Sequence, residues 1–134
     1  MTTPQQGEAM PPIERQITTA TIMAYGASTW DWHRMHYDGA YARAEGLPGV
    51  VLDGQAFGAY LAMAVTSWLG PRAFVRKLSF RMRSMVLPGD TITCVGEVTS
   101  VAPDDGADIV SLSQRLMVGD RVAAEATTEV RVPR

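Results

Sequence analysis

One long helical pattern followed by several strand patterns constrains the fold of this chain most strongly. Large apolar residues recur at helical spacing over residues 53–69, and Gly70-Pro71 ends the pattern. Four later segments have strand character and are joined by turn sequences: 74–85, 91–101, 108–118 and 121–132. One helix followed by an antiparallel meander predicts an α+β fold in which the sheet wraps around a long central helix.

The region before the long helix is less regular. Residues 1–12 are polar and proline-rich, which predicts a disordered lead-in and a single domain over 13–134. Residues 17–22 are β-branched and start either a strand or a short helix. Asp38 is a candidate N-cap for a short helix that runs to Glu45.

Composition excludes several classes of protein. A net charge of −2, from 12 basic and 14 acidic residues, lacks the basic excess that a nucleic-acid binder needs. Cys94 is the one cysteine, so neither an intrachain disulfide nor a cysteine-based zinc site is expected, and it is interpreted as a core residue. Residues 56–69 fall short of a membrane span, and the N-terminus lacks the apolar core of a signal peptide. We therefore expect a cytoplasmic protein without membrane contact.

Residues 25–43 contain an aspartate and a histidine five positions apart, Asp31 and His36. Adding water to a double bond needs a base for the water proton and an acid for the carbon. A carboxylate and an imidazole can share these tasks near neutral pH. The spacing alone is equally compatible with a loop aspartate that caps a turn and a surface histidine. Nearby aromatic residues are candidates for an acyl-pocket wall or for the core: Tyr25, Trp30 and Trp32.

This stretch resembles the hydratase signature of the MaoC-like dehydratases, the (R)-specific enoyl-CoA hydratases of the hotdog fold. The run 27–29 precedes Asp31, and His36 sits at the family spacing. Asp38 and the segment 41–43 complete the tail of the signature. His33 and Arg34 stand where the family has an Asn-Pro pair, and the resemblance extends over roughly residues 17–132.

The resemblance implies a reaction and its machinery. In the family, the residues matching Asp31 and His36 deprotonate a water that attacks the β-carbon of a trans-2-enoyl thioester. Proton delivery to the α-carbon completes a syn addition, and the reverse reaction dehydrates a (3R)-hydroxyacyl thioester. No cofactor is implied, because coenzyme A arrives as part of the acyl-CoA substrate. The amide matching Gly54, at the start of the central helix, binds the thioester carbonyl and stabilises the enolate.

Asp53 stands where the family has a histidine, and it opens an alternative. Its carboxylate would repel a forming enolate unless it turns away and caps the helix. Some hotdog thioesterases use a carboxylate near this helix as base or nucleophile, so Asp53 also supports a thioesterase.

Other polar residues have weaker interpretations. His33 could orient Asp31, act as a second base or cover the loop. A metal site formed by His33, His36 and Asp31 lacks other support in the sequence, so no metal is expected. Five basic residues are ordinary surface charges individually, and as a group are candidates to meet the phosphates of coenzyme A: Arg72, Arg76, Lys77, Arg81 and Arg83.

The sheet of a hotdog chain normally pairs edge to edge with another, so a homodimer or larger assembly is expected. The departures at His33, Arg34 and Asp53 also favour a third hypothesis, in which this chain binds acyl-CoA or completes the site of a second, different hotdog chain. Small MaoC-like chains that form such heteromers in steroid side-chain degradation are similar in length.

Overall fold

A computed structural model describes residues 3–134 of the chain. It contains five strands, three α-helices and one 3₁₀ turn within those residues. In chain order these are β1 Ala9–Gln16, α1 Thr19–Thr29, the 3₁₀ turn Arg34–His36, α2 Gly39–Ala44, α3 Gly54–Leu69, β2 Phe74–Met82, β3 Thr91–Asp104, β4 Ala107–Val118 and β5 Arg121–Pro133.

The strands form one antiparallel sheet in the order β1-β3-β4-β5-β2. The predicted meander is correct for β3, β4 and β5, which pair in sequence order. It is wrong for β2, which pairs with β5 instead of with β3. The connection after β2 explains the difference, because the amides of Arg83 and Ser84 bond to Ala123 of β5 and Gly89 bonds to Ile17, so the chain crosses to the far side of the sheet.

Helix α3 forms the core with the sheet, as the sequence predicts. Phe57 and Leu61 are almost completely buried, and each such side chain stabilises the fold by about 1.5–3 kcal/mol. Gly58 allows close packing on β2, since a Cβ atom there would lie 2.6 Å from the ring of Phe80. Gln114 of β4 is buried beneath the helix and donates to the carbonyl of Leu61 at 3.1 Å, so this polar core residue is satisfied.

The predicted disordered lead-in is wrong from Ala9 onward. Ala9 and Met10 pair with β3, and Met10 is only 2% exposed. A register shift follows Met10, where Pro11 and Pro12 cannot donate to the ladder. Apolar burial of Met10 overrides the polar, proline-rich composition of the segment. Met1 and Thr2, which the same prediction covered, lie outside the described residues.

The two helices before α3 set up the site. The ambiguous segment 17–22 contains the start of α1, where the Thr18 side chain accepts from the amide of Thr21. The cap predicted at Asp38 is confirmed, since its carboxylate accepts from the amide of Tyr41 at 3.0 Å. No helix within residues 3–134 combines the length and apolarity needed to cross a membrane.

Candidate active site

The end of helix α1 places Asp31. The amide of Asp31 donates to the carbonyl of Gly26 at 2.8 Å, and Trp30 adopts a left-handed backbone conformation with φ 59°. The chain therefore turns back tightly over the helix. A Cβ atom on Gly26 would lie 3.0 Å from the backbone oxygen of Asp31, so glycine permits this close approach.

The ring of His36 is held by the segment that leads into α3. Its Nδ1 atom lies 2.8 Å from the carbonyl oxygen of Val51. A carbonyl only accepts, so Nδ1 carries the hydrogen and the neutral ring keeps a free lone pair on Nε2. That Nε2 atom lies 3.9 Å from Oδ2 of Asp31. His36 is 7% exposed, so the imidazole is buried apart from the surface that it offers to the neighbouring cavities.

His36 borders two cavities. The first, of about 300 Å³, is lined by Asp31 together with mostly apolar residues: Ile22, Met23, Gly26, Ala27, Trp32 and Tyr37. The second, of about 440 Å³, includes Gly54, Met82, Arg83 and Met85 in its lining. Of the predicted aromatic wall residues, Trp32 lines the first cavity, Tyr25 packs against the core, and Trp30 is 79% exposed.

Asp53 caps helix α3 and also faces the site. Its Oδ1 atom accepts from the amide of Gln55 at 2.7 Å. Its Oδ2 atom is buried and has no hydrogen-bond partner within the described part of the chain. Ligand atoms of Asp31, His36 and Asp53 lie within 4.8 Å of one another. We expected Asp53 to turn away from the site and cap the helix. One carboxyl oxygen does cap the helix, but the other lies close to Asp31 and His36, so the expectation is only half correct.

The two carboxyl groups have pKa values shifted in opposite directions. The pKa of Asp31 is lowered, first by its side-chain interaction with Asp53 and then by the amide of His33. The pKa of Asp53 is raised, first by burial, while the amide of Gln55 acts in the opposite direction. One carboxyl is therefore favoured as the anion and its neighbour as the neutral acid.

Both the backbone amide and the ring of His33 form hydrogen bonds within the loop. Its amide donates to Oδ1 of Asp31 at 3.1 Å. Its ring Nδ1 accepts from the amide of Met35 at 3.3 Å, and the ring contacts Tyr41 edge-on. This arrangement agrees with the orienting and covering roles predicted for His33, and it occupies Nδ1 of the ring with the amide of Met35. The absence of a metal stays a prediction.

Arg34, the other departure from the Asn-Pro pair, lies outside the acid–base group. It pairs with Asp38 at 2.7 Å, and its guanidinium lies 4.5 Å from the centre of the Tyr41 ring. The substitution at this position therefore contributes a surface ion pair and a cation–π contact.

The structure does not bring the five predicted basic residues together. Arg72 lies by the C-terminal end of α3, beside Leu69, whereas Arg83 lines the cavity next to Gly54 at the opposite end of that helix. Arg83 also pairs with Glu125 at 2.6 Å. The remaining three are exposed along β2: Arg76, Lys77 and Arg81. Only Arg83 thus lies where it could contact a ligand bound at the site.

Sequence reasoning missed the role of Gly26 and Val51. Gly26 is required by the return of the chain at Asp31, and Val51 contributes only a carbonyl. A backbone acceptor leaves no trace in residue type. A glycine inside a helical segment, five residues before the candidate base, was the signal available for Gly26.

A buried imidazole faces a carboxylate, borders two cavities and lies beside a helix N-terminus on an α+β fold, an arrangement suited to acid–base chemistry. The MaoC like domain family matches residues 2–126, and the chain belongs to that family. The hotdog fold predicted from the resemblance is confirmed by the structural neighbours.

Three relatives illustrate the similarity. The chain is 27% identical over 125 residues to the 3-oxo-4,17-pregnadiene-20-carboxyl-CoA hydratase beta subunit of Mycobacterium tuberculosis, covering 93% of this chain and 95% of that protein. It matches a chain of the ChsH1-ChsH2 complex from Mycobacterium tuberculosis with TM-score 0.82 and 26% identity, covering 98% and 99% of the two chains. The (R)-hydratase from A. caviae involved in PHA biosynthesis matches with TM-score 0.88 and 21% identity, covering 99% and 100%.

Proposed function

We propose that this chain is an enoyl-CoA hydratase and 3-hydroxyacyl-CoA dehydratase, which adds water reversibly and syn to a trans-2-enoyl-CoA to give a (3R)-hydroxyacyl-CoA. The observation that carries the proposal is the free Nε2 of His36 facing the carboxylate of Asp31 where the two cavities meet. Membership of the MaoC like domain family and the similarity to a hydratase subunit support it.

The separation of the pair suits a bridging water. Nε2 of His36 and Oδ2 of Asp31 lie 3.9 Å apart, which is too long for a direct hydrogen bond. A bridging water can donate one hydrogen to each of these two acceptors at once. In the proposed reaction the water oxygen bonds to the β-carbon while the pair takes its proton. A proton then passes from the same face to the α-carbon, so the double bond is saturated by syn addition.

The start of helix α3 is proposed to stabilise the enolate. Gly54 is the first residue of this 16-residue helix and lines the second cavity. Its amide and the positive end of the helix favour negative charge on the thioester oxygen. An Asp53 carboxyl that keeps its proton would not repel the enolate, and burial raises the pKa of this carboxyl.

The two cavities suggest how the substrate lies. The apolar first cavity suits the acyl chain, and the second, with Arg83 in its lining, suits the thioester and the start of coenzyme A. The guanidinium of Arg83 donates to Glu125 through Nε and Nη2, and its Nη1 could donate to a phosphate. Coenzyme A enters as part of the substrate, and no separate cofactor is part of the proposal.

The test is incubation of the purified chain with trans-2-enoyl-CoA thioesters of several chain lengths. Loss of the conjugated enoyl absorbance without release of free thiol is expected. Release of thiol at the same rate as loss of substrate would favour the thioesterase alternative, in which Asp53 acts as base.

A second proposal concerns assembly: the chain works as a homodimer or larger, or as one subunit of a heteromer with another hotdog chain. Strand β2 is an edge of the sheet, and apolar side chains are exposed along and just after it: Phe74, Phe80, Met82 and Met85. Unpaired edges with apolar side chains favour pairing. The relative from Mycobacterium tuberculosis is a beta subunit, and a similar chain belongs to a two-component complex.

Native mass spectrometry at micromolar concentration tests the assembly. A dimer or larger species is expected, and Phe74→Glu should shift it towards monomer because the charge would be buried at the edge. A well-folded, strictly monomeric protein that hydrates enoyl-CoA unaided would contradict the proposal. A cytoplasmic location remains part of the proposed function.

A further inference from the structure

The second oxygen of Asp53 is the buried polar side-chain atom that lacks a partner in residues 3–134. The residue is 4% exposed, and its Oδ1 atom is already used by the amide of Gln55. An ionised carboxylate here would leave a charged oxygen without a donor, which is costly in a dry environment. A carboxylic acid with its hydrogen on Oδ2 would instead become a donor and would need an acceptor.

The groups that face Asp53 come from four elements. The amide of Gln55 belongs to α3, and Asp31 lies in the loop after α1. His36 belongs to the 3₁₀ turn, with Nδ1 already committed to Val51. The phenol of Tyr25, on α1, is close enough for Asp53 to help raise its pKa, after the larger effect of burial. Among these neighbours, the carboxylate of Asp31 is the strong acceptor.

We propose that Asp53 is a positioning residue that remains a carboxylic acid at neutral pH and donates its Oδ2 hydrogen to the carboxylate of Asp31. The inference rests on the proposed hydratase function for its catalytic meaning. Asp31 is then held on two sides, by Asp53 and by the amide of His33 on Oδ1. The opposite shifts of the two pKa values, Asp31 lowered and Asp53 raised, agree with a proton shared in this direction.

The arrangement limits the site to one negative charge. With Asp31 ionised and the ring of His36 bonded to Val51 through Nδ1, the pair can receive a proton from water. The charge that two ionised carboxylates would place beside a forming enolate is absent. The resemblance leads to a histidine at this position, and a histidine can be uncharged. A protonated Asp53 is also uncharged, so it likewise adds no second negative charge to the site.

The state of Asp53 can be measured without any substrate. We expect infrared spectra at pH 7 to contain a protonated carboxyl band that disappears in Asp53→Asn. In Asp31→Asn the band should titrate at lower pH than in the wild type, because the neighbouring negative charge is gone. Absence of such a band at pH 7, or a band that Asp53→Asn does not remove, would overturn the proposal. So would a titration that Asp31→Asn leaves unchanged.

The pH dependence of hydration tests the catalytic meaning. Asp53→Asn keeps a cap for Gln55 and an N–H donor for Asp31, whereas Asp53→Ser keeps a cap but is too short to reach Asp31. In Asp53→Ser the acid limb of kcat/KM should move to higher pH, because Asp31 loses its donor. In Asp53→Asn that limb should stay, and an alkaline limb due to ionisation of Asp53 should disappear.

Identical acid limbs in the Ser and Asn variants would overturn the positioning role. If the wild type hydrates no enoyl-CoA, the proposed function fails, while the infrared result still decides the protonation of Asp53. The two failures are therefore distinguishable.

Discussion

Nδ1 of His36 donates a hydrogen bond to the carbonyl of Val51, 15 residues further along the chain. The bond connects the 3₁₀ turn to the segment that enters helix α3. It fixes the orientation of the ring and directs Nε2 towards Asp31. The histidine and the helix N-terminus, which the proposed reaction uses on the two ends of the enoyl thioester, are thus held in one rigid arrangement.

His36→Ala should lower hydration by at least about a hundredfold, as loss of an acid–base group commonly does. It should also lower the free energy of unfolding by about 1–3 kcal/mol, because the buried carbonyl of Val51 loses its donor. His36→Asn offers a donor amide and serves as the control for folding. Equal activity in His36→Ala and wild type, measured on folded protein, would contradict the assignment.

Gly26→Ala should reduce hydration by about tenfold or more, because displacement of a reacting group by a fraction of an ångström is costly. The new methyl group would lie 3.0 Å from the backbone oxygen of Asp31 and push the loop outward. Gly49→Ala is the matched control, since a Cβ atom there has nothing within 4 Å. Steady-state kinetics and thermal melts of both variants check the prediction. Unchanged kinetics in Gly26→Ala would show that the loop tolerates the shift.

Met10→Ala should lower the free energy of unfolding by about 2–5 kcal/mol, as is usual for a large buried side chain. Met10 is 2% exposed and belongs to the segment that its composition predicted to be disordered. Met23→Ala is the control, because that side chain is 53% exposed. Urea denaturation measures both. Equal midpoints for Met10→Ala and wild type would mean that β1 contributes little to the core.

The stability of Asp53→Asn relative to wild type should increase as pH rises. The folded pKa of Asp53 is raised above the ordinary value of 3.8, mainly by burial. At pH values above 3.8 the unfolded chain has lost this proton while the folded chain still holds it. The free energy of unfolding of the wild type therefore falls with rising pH until the pH passes the folded pKa of Asp53. Asparagine has no such dependence. Thermal unfolding of both proteins across this pH range checks the sign, and a constant difference would contradict it.

The sequence predicted the repeated patterns well and the long-range relationships poorly. Helix α3 and the strands β3 to β5 follow from periodicity and turn residues, because each depends on neighbours in the chain. The pairing of β2 with β5 depends on how the chain crosses the sheet, which local pattern does not encode. The strand at Ala9 depends on burial of Met10 against partners far along the chain.

Prediction of the candidate site shows the same division between local pattern and long-range contact. The resemblance paired Asp31 with His36 at the family spacing, and the structure brings their side chains to 3.9 Å. Residue type identified Asp53 as a cap, but only its burial reveals the second, unpartnered oxygen. The five basic residues looked like a cluster because they are close in sequence. They separate in space because the extended strand β2 places Arg72, just before it, and Arg83, just after it, at opposite ends of helix α3.

The most direct test of the central claim compares two substitutions that each change one carboxylate to an amide. Asp31→Asn removes the carboxylate that faces His36, whereas Asp38→Asn changes a helix cap that pairs with Arg34. Initial rates of hydration should be measured on trans-2-enoyl-CoA with each folded variant. We predict a loss of at least about a hundredfold for Asp31→Asn and less than about threefold for Asp38→Asn. Wild-type turnover in Asp31→Asn would contradict the assignment of Asp31 and His36 as the acid–base pair.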